Sequence, residues 1–218
     1  NVFCVGLNYT DHVAEGDRVA KTHSVTKQGS GLPQYPQFFT KPPQTVIGPY
    51  DDVPDHAAST RRLDYEVELA IVIGKRGRNI PEDKAMEYVF GSTVANDITG
   101  RDLQRRHGQW FKSKGLDRSC PLAAWIGTKD ELDPLDTGLS LTINGEQRQF
   151  NRTSNMLFPI PTIIAQLSDG LTLEPGDIIL TGTPEGVGFA METPQYLKAG
   201  DQIVSIVDGI GRLENTVV

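Results

Sequence analysis

The sequence predicts a strand-rich α+β fold with short helices, and three observations carry that expectation. Runs with strand character recur at 63–74, 88–98, 171–181, 202–208 and 212–218, the later ones separated by turns at Glu174-Pro175-Gly176 and Gly209. Residues 139–150 read as a hairpin turning at Asn144-Gly145, a favoured pair for a two-residue turn. Helical candidates are short: a turn within 8–15, a segment at 81–89, one opened by Thr99, and one at 161–167 that Gly170 helps to end.

In chain order, the first residues already look like a strand, so the chain reads as trimmed, with any upstream targeting segment outside the sequence. Next comes N-Y-T-D-H-V-A-E. His12 and Glu15 are three apart and can touch on a helical turn, and a carboxylate beside an imidazole fixes its tautomer for general-base work. The spacing also arises by chance. Residues 16–37 are polar, glycine- and lysine-bearing and end in proline; a loop this long in a compact domain is usually functional or disordered. Following His12 and Glu15 directly, they read as a lid and its hinge, so a mobile lid is expected over about 9–37.

The strand run L-D-Y-E-V-E-L-A-I-V-I-G is the most informative stretch. Side chains alternate along a strand, so Asp64, Glu66 and Glu68 share one face while Leu63, Tyr65, Val67 and Leu69 take the other. Buried like charges are costly unless a cation compensates, although a solvated acidic face gives the same pattern. The run at 88–98 ends with Asp97, also readable as a turn acid. Three carboxylates without a cysteine or histidine cluster form a hard oxygen set, suited to Mg²⁺, Mn²⁺ or Ca²⁺ rather than zinc.

After Asp97, Thr99 reads as an N-cap with Asp102 three residues on, which places Arg101 and Gln104 on one face of the new helix. Arg101 would favour an anion there, or serve in a surface ion pair. K-G-L-D-R-S-C-P reads as a loop whose Lys114 could neutralise an enolate or carboxylate, or simply be solvated. G-T-P-E-G-V-G lacks the Gly-Lys-Ser/Thr of a phosphate loop and reads as a turn whose backbone N–H groups and Thr183 hydroxyl could bind a substrate carboxylate.

Together these pieces resemble the fumarylacetoacetate hydrolase family. The resemblance covers nearly the whole chain and includes F-F-T-K-P (38–42), D-Y-E-V-E-L-A-I-V-I-G-K (64–75), A-N-D-I-T-G-R-D-L-Q (95–104), K-G-L-D-R-S-C-P (114–121) and L-T-G-T-P-E-G-V-G (180–188), in that order. It implies a mixed β-sandwich roll with short helices, forming one catalytic domain over 1–218. It implies a metal on Glu66, Glu68 and Asp97, catalytic His12, Glu15 and Lys114, and Arg101, Gln104 and Thr183 around the substrate, with Lys41 a further candidate there. Asp64 has no metal role in that pattern. Mg²⁺, or Mn²⁺ or Ca²⁺, is the implied cofactor, and a homodimer the implied assembly.

Composition agrees. The chain has 218 residues, enough for one domain with a sizeable core, and its net charge of −7 with scattered basic residues disfavours nucleic acid. No apolar run approaches the roughly 20 residues of a membrane helix, and a cytoplasmic enzyme is expected. Cys4 and Cys120 form no metal or redox motif and read as core thiols. Three carboxylates on a divalent cation sum to −1, so Arg101 and Lys114 would be needed to admit an anionic ketoacid. The cation would serve as Lewis acid for the carbonyl, with His12, oriented by Glu15, deprotonating water. The expected reaction is C–C hydrolysis of acylpyruvate- or fumarylpyruvate-like β-diketo acids. Isomerisation of 2-hydroxydienedioate-type diacids, decarboxylation of oxaloacetate, and a non-catalytic ketoacid-binding homologue are the alternatives.

Overall fold

The computed structural model describes residues 1–22 and 31–218. Its strands and helices, in order, are β1 (Val2–Gly6), α1 (Thr10–Thr22), β2 (Gln37–Lys41), β3 (Val46–Ile47), β4 (Leu63–Asp64), β5 (Val67–Ile73), β6 (Val89–Asn96), β7 (Thr99–Gly100), α2 (Arg101–His107), α3 (Phe111–Lys114), β8 (Cys120–Pro121), β9 (Gly127–Thr128), β10 (Gly138–Ile143), β11 (Glu146–Arg152), α4 (Ile160–Ser168), β12 (Ile178–Leu180), β13 (Gln202–Val207) and β14 (Gly211–Thr216). One sheet runs β2-β1-β12-β5-β6-β9 and a second runs β11-β10-β13-β14. The first is mixed, since β1 pairs with β12 in parallel while its other neighbours are antiparallel. β13 and β14 lie against β6, and β10 against β5, so the sheets stack, as the expected mixed β-sandwich requires.

β5 explains the stacking. Val67, Leu69, Ile71 and Ile73 are buried on one face, and Ala70 on the other, so the strand is apolar on both sides. The expected hairpin is present: Asn144 and Gly145 have φ of 52° and 82°, and β10 and β11 pair from Ile143 with Glu146. Cys4 and Cys120 are buried core thiols beside Val2, Ala70, Ala95 and Leu180, and burial pushes Cys120 up to about 12.

Several boundaries differ from the sequence expectation. The 63–74 run is not one strand: β4 pairs with β7, β5 pairs with β6, and Tyr65 and Glu66 form the break between them. Thr99 is a strand residue in β7 whose hydroxyl donates to Asp97 O at 2.8 Å, so it does not cap α2; Gly100 occupies that position. The 171–181 run contributes only Ile178–Leu180, because Gly176, at φ 89°, closes a turn immediately before it. Lys114 ends the short helix α3 rather than lying in a loop. α1 continues through Thr22, so the first part of the expected lid loop is helical, and residues 23–30 of that expectation lie outside the described residues.

Candidate active site

The break at Tyr65–Glu66 brings the acids together. Glu66 donates its amide to Asn96 Oδ1 at 2.9 Å and accepts the Asp97 amide on its carbonyl at 2.8 Å, which clamps the β4–β5 break against the end of β6. Glu66, Glu68 and Asp97 are all buried, and each offers an oxygen within 4.8 Å of the others. Asp64, two residues before Glu66, turns away: its carboxylate accepts Arg101 Nε at 2.8 Å and the amides of Gly188 and Phe189 at 2.8 and 3.1 Å.

Three cations stand among these acids. Lys114 Nζ lies 2.6 Å from Glu66 Oε2 and 2.7 Å from Asp97 Oδ2. Arg101 pairs with Asp64 at 2.8 Å and, through its terminal nitrogen, with Glu66 Oε1 at 2.7 Å, its guanidinium lying over the Phe189 ring. Lys41, fully buried, donates to Asp97 Oδ1 at 2.8 Å, to Ser119 Oγ at 3.1 Å, and to the carbonyls of Ile98 and Lys114. Its ammonium is therefore enclosed behind Asp97, away from the cavity wall. The expectation that Lys41 meets substrate is corrected by this geometry.

Four carboxylates thus face three cations, and Glu68 is left over. It has no ion-pair partner among the described residues, and its Oε2 accepts only the Gly182 amide, at 2.6 Å. Burial, then repulsion from Asp97 and Glu66, pushes its carboxyl well above the usual range. Burial acts the same way on Glu66, but Lys114 and Arg101 beside it hold that carboxyl low. Burial would lower Lys114, yet Asp97 and Glu66 keep its ammonium raised. A buried all-oxygen triad with one uncompensated negative charge fits a hard divalent cation. Glu66, Glu68 and Asp97 would hold it.

Beside the triad lies a small cavity lined by His12, Glu66, Glu68, Arg101, Gln104, Lys114 and Thr183, with apolar walls from Val5, Leu7, Phe39 and Trp110. α1 delivers the dyad: His12 Nδ1 is 2.8 Å from Glu15 Oε1, both buried. The opposite oxygen of Glu15 accepts the Gly186 amide at 3.0 Å. His12 stands in the cavity wall.

The G-T-P-E-G-V-G turn differs from its expected use. Gly182 gives its amide to Glu68, Gly186 to Glu15, and Gly188 and Phe189 to Asp64. Thr183 lines the cavity, but its hydroxyl donates to Val67 O at 2.9 Å and accepts from Gln149 Nε2 at 2.8 Å. These donors hold the protein's own acids in place, so they are not free for a substrate carboxylate. The turn is an organiser of the site.

Sequence reasoning missed the aromatic wall and Gln149. Phe39 and Trp110 meet edge to face at 5.4 Å, and Lys114 Nζ lies 5.2 Å from the centre of the Phe39 ring. A Cβ on Gly6 would stand 2.0 Å from the Trp110 ring, so only glycine admits the indole there. The one available signal was the F-F pair before Lys41; nothing in the local sequence marks Trp110 or Gln149.

The family model described as Fumarylacetoacetate (FAA) hydrolase C-terminal matches residues 1–218. The chain belongs to the fumarylacetoacetate hydrolase family. Among curated proteins it is 44% identical over 218 residues to the oxaloacetate tautomerase YisK of Bacillus subtilis, covering 100% of this chain and 69% of that protein. Among solved structures it matches 5-carboxymethyl-2-hydroxymuconate delta-isomerase from Mycobacterium smegmatis with a TM-score of 0.83 and 40% identity, covering 100% of this chain and 78% of that one. It also matches fumarylpyruvate hydrolase from Pseudomonas aeruginosa in complex with Mn²⁺ and pyruvate, with a TM-score of 0.82 and 31% identity, covering 100% and 88% respectively. Hydrolase, isomerase and tautomerase chemistries thus all occur on this family's fold. No described helix is long and apolar enough to cross a membrane.

Proposed function

We propose that the chain is a divalent-metal-dependent enzyme, with Mg²⁺ as its working ion, that tautomerises a small 2-oxo diacid of the oxaloacetate class. The observation that carries this is a cation-deficient carboxylate triad, two of whose acids, Glu66 and Glu68, line one cavity with two charged donors and a carboxylate-oriented imidazole. A divalent ion there would supply Lewis acidity toward a keto oxygen and charge stabilisation of its enolate. The residues do the rest.

Glu15, accepting at Nδ1, sets the His12 tautomer with the proton on that nitrogen and leaves the Nε2 lone pair for the cavity. Nε2 can then take a proton from the carbon beside the ketone and return it, which is all that keto–enol exchange needs. Arg101 and Lys114 bring positive charge to a dianion, and Gln104 adds a polar contact beside them. Phe39 and Trp110 exclude water from one side. The similarity to the Bacillus subtilis oxaloacetate tautomerase supports the same reading.

The second reading is hydrolytic C–C cleavage of an acylpyruvate or fumarylpyruvate, the reaction first expected from the sequence. The same Nε2 would deprotonate water, and the Pseudomonas aeruginosa hydrolase structure holding pyruvate favours it. In both readings residues 1–218 act as one catalytic domain and the chain assembles as a homodimer, for which exposed Phe90, Trp125 and Ile126 offer an apolar face. The test is a panel of oxaloacetate, acetylpyruvate, fumarylpyruvate and a 2-hydroxydienedioate, each with Mg²⁺ and with chelator. Metal-dependent acceleration of the oxaloacetate keto–enol exchange is the expected result. Cleavage of an acylpyruvate with no effect on that exchange replaces the first reading by the second.

A further inference from the structure

A cationic cleft lies outside the active cavity, between residues 57–62 and the C-terminal half of α2. Arg61 and Arg62 line one wall, Arg105 and Arg106 the other, and all four are exposed. None has a carboxylate partner among the described residues. The only acid in the lining is Asp102, and its carboxylate is already engaged by the Thr60 hydroxyl and, at 3.2 Å, by the Arg61 amide. Four guanidinium groups on one cleft depart from the charge of the chain as a whole, which is −7.

The cleft is built before any ligand arrives. Asp102 belongs to α2 and its partners to the facing loop, so it bolts the two walls together. Partial burial opposes ionisation of Asp102, but the hydrogen bonds from Thr60, Arg61 and Leu103 outweigh it and hold the carboxyl below its usual range. A second link is the Arg101 amide, which donates to Arg62 O at 2.9 Å, and a third is the pairing of β4 with β7. The Arg62 stem is steadied by its guanidinium lying 6.0 Å from the Tyr196 ring centre. Fixed walls lower the entropic cost of binding. Like charges held together repel, and an anion placed between them removes that repulsion while gaining charge-assisted hydrogen bonds. Arginine rather than lysine at all four positions favours phosphate and carboxylate oxyanions, which the planar guanidinium fork binds through two oxygens.

We propose that this cleft is a binding site for a small multivalent oxyanion, of the kind a bisphosphorylated metabolite carries, separate from the catalytic cavity. Its two walls run directly into Asp64 and Arg101, whose side chains pair at 2.8 Å, so the site is placed to act on the cation that faces substrate.

The test is calorimetric titration of the full chain, with Mg²⁺ present and ionic strength fixed, using fructose 1,6-bisphosphate as probe and fructose as the uncharged control. The bisphosphate should bind with one-to-one stoichiometry. The double variant Arg105→Gln/Arg106→Gln should weaken it by at least about tenfold, and Arg61→Gln by a smaller factor, because each removes charge-assisted contacts. These side chains are exposed, so the variants should keep the wild-type melting temperature and circular dichroism. Inorganic phosphate should compete, more weakly. No heat beyond that of fructose overturns the proposal. So does undiminished affinity in the double variant, which would put the anion in the active cavity with Arg101 and Lys114. Binding confined to a polynucleotide, with none to the bisphosphate, overturns it equally.

Discussion

Glu68 is the one carboxylate the buried cluster leaves without a cation, and replacing it by glutamine tests that imbalance. Burial together with Asp97 and Glu66 raises its carboxyl in the folded chain. A carboxyl raised on folding contributes its full stability at pH values below the unfolded carboxylate range. That contribution is lost as pH rises through the folded value, because the unfolded chain ionises freely while the buried group resists. One proton is involved, so between the two values the loss is about 1.4 kcal/mol per pH unit. Glu68→Gln removes the ionisation, and its side-chain oxygen can still accept the Gly182 amide, 2.6 Å away in the wild type.

Urea unfolding of the chelated protein, from the carboxylate range up to neutral pH, measures the effect. Subtracting the variant from the wild type cancels the other titrating groups. The difference should fall with the stated slope as pH rises above the unfolded carboxylate range. Mg²⁺ at about a hundredfold over its dissociation constant should add about 2.7 kcal/mol to the wild type by mass action, and much less to the variant. A pH-independent difference, or equal stabilisation of both proteins by Mg²⁺, would refute the charge argument.

Lys41→Met should destabilise the protein by about 3–5 kcal/mol in urea melts, since it strands the buried Asp97 Oδ1 as well as the Ser119 and carbonyl acceptors. A loss below ~1 kcal/mol would mean that Lys41 is not the internal brace of the triad. Lys114→Met should tighten Mn²⁺ binding in calorimetric titration while lowering turnover, because its ammonium competes for the oxygens of Glu66 and Asp97; weaker binding contradicts that competition. His12→Ala should cut turnover by about 10²–10⁴-fold in steady-state assays and leave the Mn²⁺ affinity unchanged, since the imidazole bonds to Glu15 and to none of the three acids. A parallel loss of metal would place His12 among the ligands.

The chain's own pattern determined the strand-rich architecture, the Asn144-Gly145 hairpin and the buried thiols, while the candidate site residues were named through the family resemblance. These are legible because alternation, turn chemistry and short motifs act over a few residues. Tertiary structure decided the break between β4 and β5, since pairing of Asp64 with Thr99 and of Val67 with Asn96 draws the two halves of one apparent strand to different partners. It decided that Thr99 takes its place in β7 instead of capping α2. It sent Lys41 behind Asp97, and it spent the amides of the 182–189 turn on Glu68, Glu15 and Asp64. It also set Trp110 into the space left by Gly6, a contact between residues far apart in the chain. Local sequence names which groups carry charge or donors. Which charge each one meets depends on distant segments, because buried ions and amides are satisfied by whatever partners the whole fold brings within hydrogen-bonding reach.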